Sequence, residues 1–214
     1  MTAFGIFWGT AILAMLIGGS KGLKSFMSRN FEGFATNVAI VFPGRTTKPY
    51  AGFNKGMELE LNLQDIINIR RAIPEIENSS AVNNLWANAL YGQKSSNAML
   101  TGVESGYDKI FVPVMYEGRF INEADNTRSR KVCVVGKKVA DEIFGTESGL
   151  GKEISLNGIY YKVVGIAGQT SEISMGAELD ESVIIPYNSM RANYNLGTKV
   201  GMFMMTLKSG YAPG

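Results

Sequence analysis

The stretch KVCVVGKKVADEIFG, Lys131 to Gly145, decides how the chain is read. A β-branched apolar run meets Gly136 and turns at once into a helical pattern. Many nucleotide sites begin this way, because the free N–H groups at a helix start hold phosphate. A dinucleotide fingerprint needs G-x-G-x-x-G. Here Lys137 and Lys138 follow Gly136, and no further glycine comes before Gly145. A P-loop needs G-x-x-x-x-G-K-[ST]. The nearest candidate, Gly149-Leu150-Gly151-Lys152, has Thr146 in place of the first glycine and Glu153 in place of the hydroxyl. The corner at Gly136 is therefore read as structural, and no cofactor is expected.

Working outward, GLGKEISLNGIYYKVVGIAG reads as a hairpin about Asn157-Gly158, the strongest short turn signal in the chain. ESVIIPY is a buried strand ending at a proline, SMRANY a helical turn, and GMFMMTLKSG (201–210) a last strand. Upstream, NVAIVFPG (37–44) is a strand closed by Pro-Gly. RTTKPYAGFNKGMELE is an aperiodic loop. In LNLQDIINIRRAIPEI, the spacing of Leu63, Ile66, Ile67 and Ile69 predicts a helix with Asn62 as N-cap and Pro74 beyond its end. The stretch 76–90 predicts one extended strand, and 95–104 its hairpin partner across Tyr91-Gly92. IFVPVMYEGRFINEAD (110–125) holds apolar residues and a turn at Glu117-Gly118-Arg119.

Composition narrows the chemistry. The chain has 214 residues, a net charge of +2 and no histidine. A nearly balanced charge gives no field for nucleic acid. Lacking histidine, the chain has no Ser–His or Cys–His pair and none of the common zinc or haem sites. The single cysteine, Cys133, sits in the apolar run VCVV and reads as a buried strand residue; it forms no intrachain disulfide.

Residues 1–19, MTAFGIFWGTAILAMLIGG, carry no charge. As a helix they match the roughly 30 Å of a bilayer's hydrocarbon core. A signal peptide would bring a basic start and an A-x-A site, and a core helix would show a polar edge. A membrane span is the preferred reading. Gly5 and Gly9 are spaced for close packing of a second membrane helix. Lys21, Lys24 and Arg29 follow the span, which by the positive-inside tendency would place that side in the cytoplasm. Leu23, Phe26, Met27 and Phe31 then line one helical stripe. The stripe fits a membrane helix continuing into water, a core contact, or a surface helix lying on lipid.

Other candidates read as structural. Asp180-Glu181 are adjacent at a strand start, so their side chains would point to opposite faces. Asp125 resembles a turn closer more than a calcium loop. Met202, Met204 and Met205 suit an edge strand and core packing, with no copper motif beside them. Arg128, Arg130, Lys131, Lys137 and Lys138 form a solvated basic face without interleaved aromatics. No catalytic or metal-binding set is expected, and the chain is not expected to be an enzyme.

The ordered set of an apolar span running into KGL, then NVAIVFPG, LQDIINIRRAIPEI, TGVESGY, EGRFINEAD, KVCVVGKKVADEIFG, GLGKEISLNGIYYKVVGI and ESVIIPY is specific. It resembles the periplasmic core domain of MacB-type ABC transporter permeases, close to the lipoprotein-releasing and FtsX-like permeases, over essentially the whole chain. The resemblance implies an α+β fold: a transmembrane helix at 1–19, a stalk helix at 20–36, a porter-like α+β lobe from 37–104 and 199–214, and an inserted β-rich lobe at 105–198. It implies three further membrane helices beyond this chain, which stops without the helix expected to cover its last strand, so a fragment is expected. It places the chain in the bacterial inner membrane with residues after the span in the periplasm, against the positive-inside reading. It implies ATP hydrolysis on a separate or fused nucleotide-binding domain, a homodimer or permease heterodimer, and a periplasmic adaptor or outer-membrane partner. In that setting Leu23, Phe26, Met27 and Phe31 pack the stalk, and Gly5 and Gly9 the membrane helix. The loop Arg45–Leu59 departs from the family pattern. A second class stays open: a single-span, membrane-tethered extracytoplasmic binding module unrelated to transport.

Overall fold

The computed structural model describes residues 37–48, 54–169 and 178–208. The predicted span at 1–19 and stalk at 20–36 lie outside them. Among the described residues, no helix is long and apolar enough to cross a membrane.

The described strands are β1 (Val38–Val41), β2 (Leu61–Asn62), β3 (Ile76–Tyr91), β4 (Lys94–Val103), β5 (Val114–Gly118), β6 (Val132–Gly136), β7 (Glu153–Leu156), β8 (Ile159–Gly168), β9 (Ser182–Pro186), β10 (Lys199–Val200) and β11 (Met202–Leu207). The helices are α1 (Leu63–Ala72), α2 (Tyr107–Phe111), α3 (Glu123–Thr127), α4 (Lys137–Phe144) and α5 (Tyr187–Asn193), with a 3-10 turn at Leu179–Glu181. The main sheet runs β1-β11-β3-β4-β9-β6-β8-β5. β7 bridges β8 back to β3, pairing Ala89 with Leu156 and Leu90 with Ser155. The hydrogen-bonded path β3-β4-β9-β6-β8-β7-β3 is therefore closed, and the far half of β3 is a stave of a small barrel.

The barrel follows from alternation along its strands. Ala87 and Ala89 of β3, Ala98 and Leu100 of β4, Cys133 and Val135 of β6, and Tyr161 and Val163 of β8 share one buried core. Side chains on a strand alternate between faces, so these residues line the interior while their neighbours Trp86 and Tyr160 face outward. The small alanines leave room for the larger Tyr161 and Leu100, the filling a narrow barrel needs. α4 follows β6 and α5 follows β9. Because β6 and β9 are antiparallel, the two helices reach opposite ends of the barrel. Val139, Ile143 and Phe144 close one end and Met190 the other.

The near half of β3 belongs to a flatter sheet with β11 and β1. α1 packs on one face through Ile66 against Phe203 and Met205, and α2 packs on the other through Tyr107, Ile110 and Phe111. α1 starts at Asn62, whose N–H donates to Asp65 Oδ2 at 2.9 Å. This reciprocal capping satisfies amides that the first turn leaves free.

Four features differ from the sequence reading. The stretch 105–127 holds two short helices, α2 and α3, too short to show a periodic stripe. β11 is an interior strand between β1 and β3. Its methionines serve both faces: Met204 lies in the core under α2 and Met205 in the core under α1. Asp180 and Glu181 sit in the 3-10 turn, not in a strand. Arg45 and Glu58 form an isolated antiparallel bridge within the segment read as loop.

The corner at Gly136 has a definite cause. Its backbone is ordinary extended chain, φ −64° and ψ 148°, so glycine is not needed for its dihedrals. A Cβ there would lie 2.3 Å from the Leu179 carbonyl oxygen and 2.4 Å from that of Asp180. The glycine lets the 3-10 turn press its backbone against the start of α4, and carbonyl oxygens fill the ground an anion would occupy. Gly136→Ala is expected to cost about 2–3 kcal/mol, because backbone must move to admit the methyl. Urea unfolding of the variant against the parent checks it.

Candidate functional site

The six residues singled out from sequence, Gly5, Gly9, Leu23, Phe26, Met27 and Phe31, all lie outside the described residues. The geometry that the described residues show is a set of connections. Among the described residues no group of three or more acidic, cysteine or histidine side chains is arranged to hold a metal ion.

Two chain connections leave the described body side by side. β1 begins where β11 ends: Val38 pairs with Thr206, and the Leu207 N–H donates to the Asn37 carbonyl at 3.3 Å. From that point a ladder runs β1 to β11 to β3, with one register shift at Thr206/Leu207, and β3 continues into the barrel in regular pairing with β4. Arg70 of α1 ties the helix to this ladder. Its guanidinium donates to Glu104 and to Ser79 Oγ (2.9 Å) and sits 5.4 Å from the Phe203 ring centroid. Glu104 in turn accepts the Ala81 N–H at 2.9 Å.

A second knot lies in EGRFINEAD. Gly118 has φ +70°, and a Cβ there would stand 2.2 Å from the Val164 carbonyl oxygen. Glycine is required on both counts. The tight turn lets Phe120 stack on Tyr107, with ring centroids 6.2 Å apart, and aims Arg119 at Asp125. The Asp125 side chain is fully buried. It accepts from Arg119 Nη1 at 2.6 Å, Arg119 Nη2 at 3.2 Å, Arg130 Nη1 at 3.2 Å and the Asn122 N–H at 3.2 Å. Asn122 Oδ1 accepts the Asp125 N–H at 3.0 Å, which completes a capping box at the start of α3. The neighbouring Asn126 holds α5 through two bonds to Asn188.

The turn-closer reading of Asp125 thus missed a buried anion with two arginines. The asparagine three residues before it was the available signal, since Asn at the cap with a carboxylate at the third helical position is a start pattern. Burial alone would raise the Asp125 pKa. The hydrogen bonds from Arg119, Asn122 and Arg130 and the Arg119 charge outweigh that and hold it below the usual carboxylate range.

The basic face is largely paired. Arg130 serves Asp125, Lys137 donates to Asp141 at 2.5 Å, and Lys138 reaches Glu181 at 2.8 Å and Glu178 at 3.4 Å. Burial pushes the Asp180 carboxyl up. Cys133 is fully buried and burial drives its thiol far up, the state of a core residue and not of a nucleophile.

Asp125→Asn should cost about 3 kcal/mol at pH 7, near the lower end for a broken buried ion pair because both arginines reach solvent. The folded pKa is depressed, so the carboxylate's contribution is present above the unfolded value of about 3.9. It is lost as pH falls through the lower folded value. The gap between parent and variant should therefore narrow below about pH 4, as read from urea midpoints at pH 7 and pH 3.

Comparisons with known proteins place this geometry. Residues 1–214 match the family of MacB-like periplasmic core domains. The macrolide export ATP-binding/permease protein MacB of Chlorobium phaeobacteroides is 28% identical over 186 residues, which cover 87% of this chain and 28% of that protein. The pyoverdine export ATP-binding/permease protein PvdT of Pseudomonas syringae pv. syringae is 26% identical over 190 residues, covering 88% of this chain and 28% of its own length. The chain thus spans under a third of the curated relatives it matches. Among solved structures, the periplasmic region of MacB from Actinobacillus actinomycetemcomitans superposes with a TM-score of 0.69 at 20% identity, covering 85% of this chain and 79% of that one. The extracellular domain of the noncanonical ABC-type transporter YknZ gives 0.64 at 18% identity, covering 81% and 85%. The fold is that of the MacB periplasmic region, and the chain belongs to the family of MacB-like periplasmic core domains, the periplasmic part of MacB-type ABC transporter permeases.

Proposed function

We propose that this chain is the mechanical output domain of an inner-membrane ABC transporter permease. ATP hydrolysis occurs on a nucleotide-binding domain or subunit outside this chain, as the ATP-binding/permease names of the relatives suggest. The membrane helix at 1–19 and the stalk at 20–36 carry movement to the periplasm. There the sheet and barrel move as one body against a cargo or a periplasmic or outer-membrane partner. Gly5 and Gly9 pack the membrane helix, and Leu23, Phe26, Met27 and Phe31 pack the stalk against a second permease copy or a related permease. The porter-like lobe (37–104 and 199–214) and the β-rich lobe (105–198) share the β3–β4 hairpin.

One observation carries this reading. The described residues Asn37 and Lys208 lie side by side, at the start of a hydrogen-bonded ladder that, after one register shift at Thr206/Leu207, continues through β11 and β3 into the barrel. A force applied there is delivered to the whole body, since a paired sheet does not yield along its strands as a loop does.

In the full-length protein, a spin label at Tyr160→Cys, an exposed barrel position, should shift relative to the membrane surface when ATP is added. Inserting eight Gly-Ser residues between Thr36 and Asn37 should leave ATP hydrolysis intact and abolish that shift. Phe26→Asp together with Phe31→Asp should reduce it. A label that stays still under ATP, or moves equally with the insertion, removes the coupling. A full-length protein that purifies without an ATPase, fused or bound, would favour the tethered binding module.

A further inference from the structure

The main sheet ends at β5, which pairs only with β8 among the described residues. Every second residue of an edge strand turns its N–H and C=O groups away from the sheet. Val114 and Tyr116 are exposed along this edge. The strand is irregular at one point, a register shift between Met115 and Glu117 that falls at Tyr116. Bulges of this kind re-aim a side chain.

Tyr116 and Glu117 also line an open hollow of about 380 Å³ between β5, α4 and the loop 145–148. Its other charged residues are Lys137, Asp141 and Glu147. Lys137 is neutralised by Asp141 and lies 6.0 Å from the Tyr116 ring centroid. Glu147 is neutralised by Lys152 at 2.6 Å. Glu117 accepts a hydrogen bond from Ser148 Oγ at 2.5 Å and, among the described residues, takes part in no ion pair within 4.0 Å. Lys94 Nζ also stands beside Gly145 at the rim, so what singles out Glu117 is its lack of a direct ion pair on the edge strand itself, not a net charge of the hollow.

A free strand edge beside a side-chain pocket is the arrangement for strand addition: backbone groups supply affinity and the pocket selects one side chain. We propose that β5 is a docking edge for an extended segment of a partner protein. The segment adds a strand to the sheet, lays apolar residues along Val114 and Tyr116, and places a lysine or arginine beside Glu117 in the hollow. The commitment to a basic partner follows from Glu117, a carboxylate of the hollow with no direct ion-pair partner among the described residues. The proposal does not depend on the coupling reading, since a strand can dock whether or not the body moves.

The test uses the full-length protein in detergent and a fluorescent, end-capped peptide Val-Lys-Val-Lys-Val, with Val-Glu-Val-Glu-Val as its counterpart. The lysine peptide should bind at least tenfold tighter than the glutamate peptide. Glu117→Lys should reverse that preference, and Glu117→Gln should weaken the lysine peptide without reversing it. Two N-methylated forms of the lysine peptide, one for each alternate set of amides, separate strand addition from simple charge attraction. One form should lose binding and the other keep it, and the amides of β5 should exchange more slowly with the peptide bound. No saturable binding of the lysine peptide overturns the proposal. So does equal binding of both charge forms, a preference that survives Glu117→Lys, or indifference to both methylated forms.

Discussion

The structure depends on the pairing of β3 with β4. Their register runs unbroken from Val82 opposite Val103 to Tyr91 opposite Lys94. One stretch of β3 serves two purposes because its other edge changes partner along its length, from β11 over Ile76–Val82 to β7 at Ala89–Leu90. The same strand therefore belongs to a flat sheet at one end and a closed barrel at the other. Loss of the pairing would open both, since α1 and α2 pack on the faces of the first part and the interior core fills the second. Burial of each large side chain in these cores is worth about 1.5–3 kcal/mol, but only if the strands that carry them stay in register.

Close backbone approach is the second constraint. At Gly136 and Gly118 the chain runs so near a carbonyl oxygen that no side chain fits. At Gly102 a Cβ would meet Met190 Sδ at 2.4 Å and Met190 Cβ at 2.8 Å, so α5 can close the end of the barrel only over a glycine. These contacts hold helices and turns against the sheet at fixed distances. They explain why the corner that looks like a nucleotide motif in the sequence has other work. Gly136, closing β6, seats the 3-10 turn, and Gly118, closing β5, aims Arg119 at Asp125.

Legibility in the sequence followed how local each cause is. The Asn157-Gly158 hairpin was readable because its two residues alone take positive φ, 49° and 87°, as the tight turn demands. The start of α1 at Asn62, the long strand over 76–90 and the final strand were readable from caps and runs. The closed barrel was not. It rests on parallel pairings of β4 with β9 and of β6 with β8 between segments far apart in the chain, which no local pattern encodes. Asn157 shows the difference in one residue. Its turn was expected, but its side chain also accepts the Asn88 N–H at 2.9 Å and donates to the Trp86 carbonyl at 3.2 Å, docking the hairpin on β3. Asp125 was misread for a similar reason: its burial depends on Arg119 and Arg130 arriving from either side of α3. The stalk and membrane residues read from sequence have no structural counterpart among the described residues, so that part of the site rests on the family alone.

The barrel and the flat sheet ask different things of the same chain. A closed barrel has no edges along its ring and resists shear, because any strand displaced must break bonds with two neighbours. In the proposed coupling, the flat sheet, with Asn37 and Lys208 at one corner, is the part that would receive displacement. Fusing them through β3 joins a part that can be pulled to a part that does not deform. Arg70 braces the flat-sheet part by holding α1, Ser79 of β3 and Glu104 beyond the end of β4 together. A strand that crosses both cores fixes their relative position, which a loop between two cores would not. The continuous strand is useful where position at one end must be known at the other, and that is the physical case for reading this fold as a transmitter.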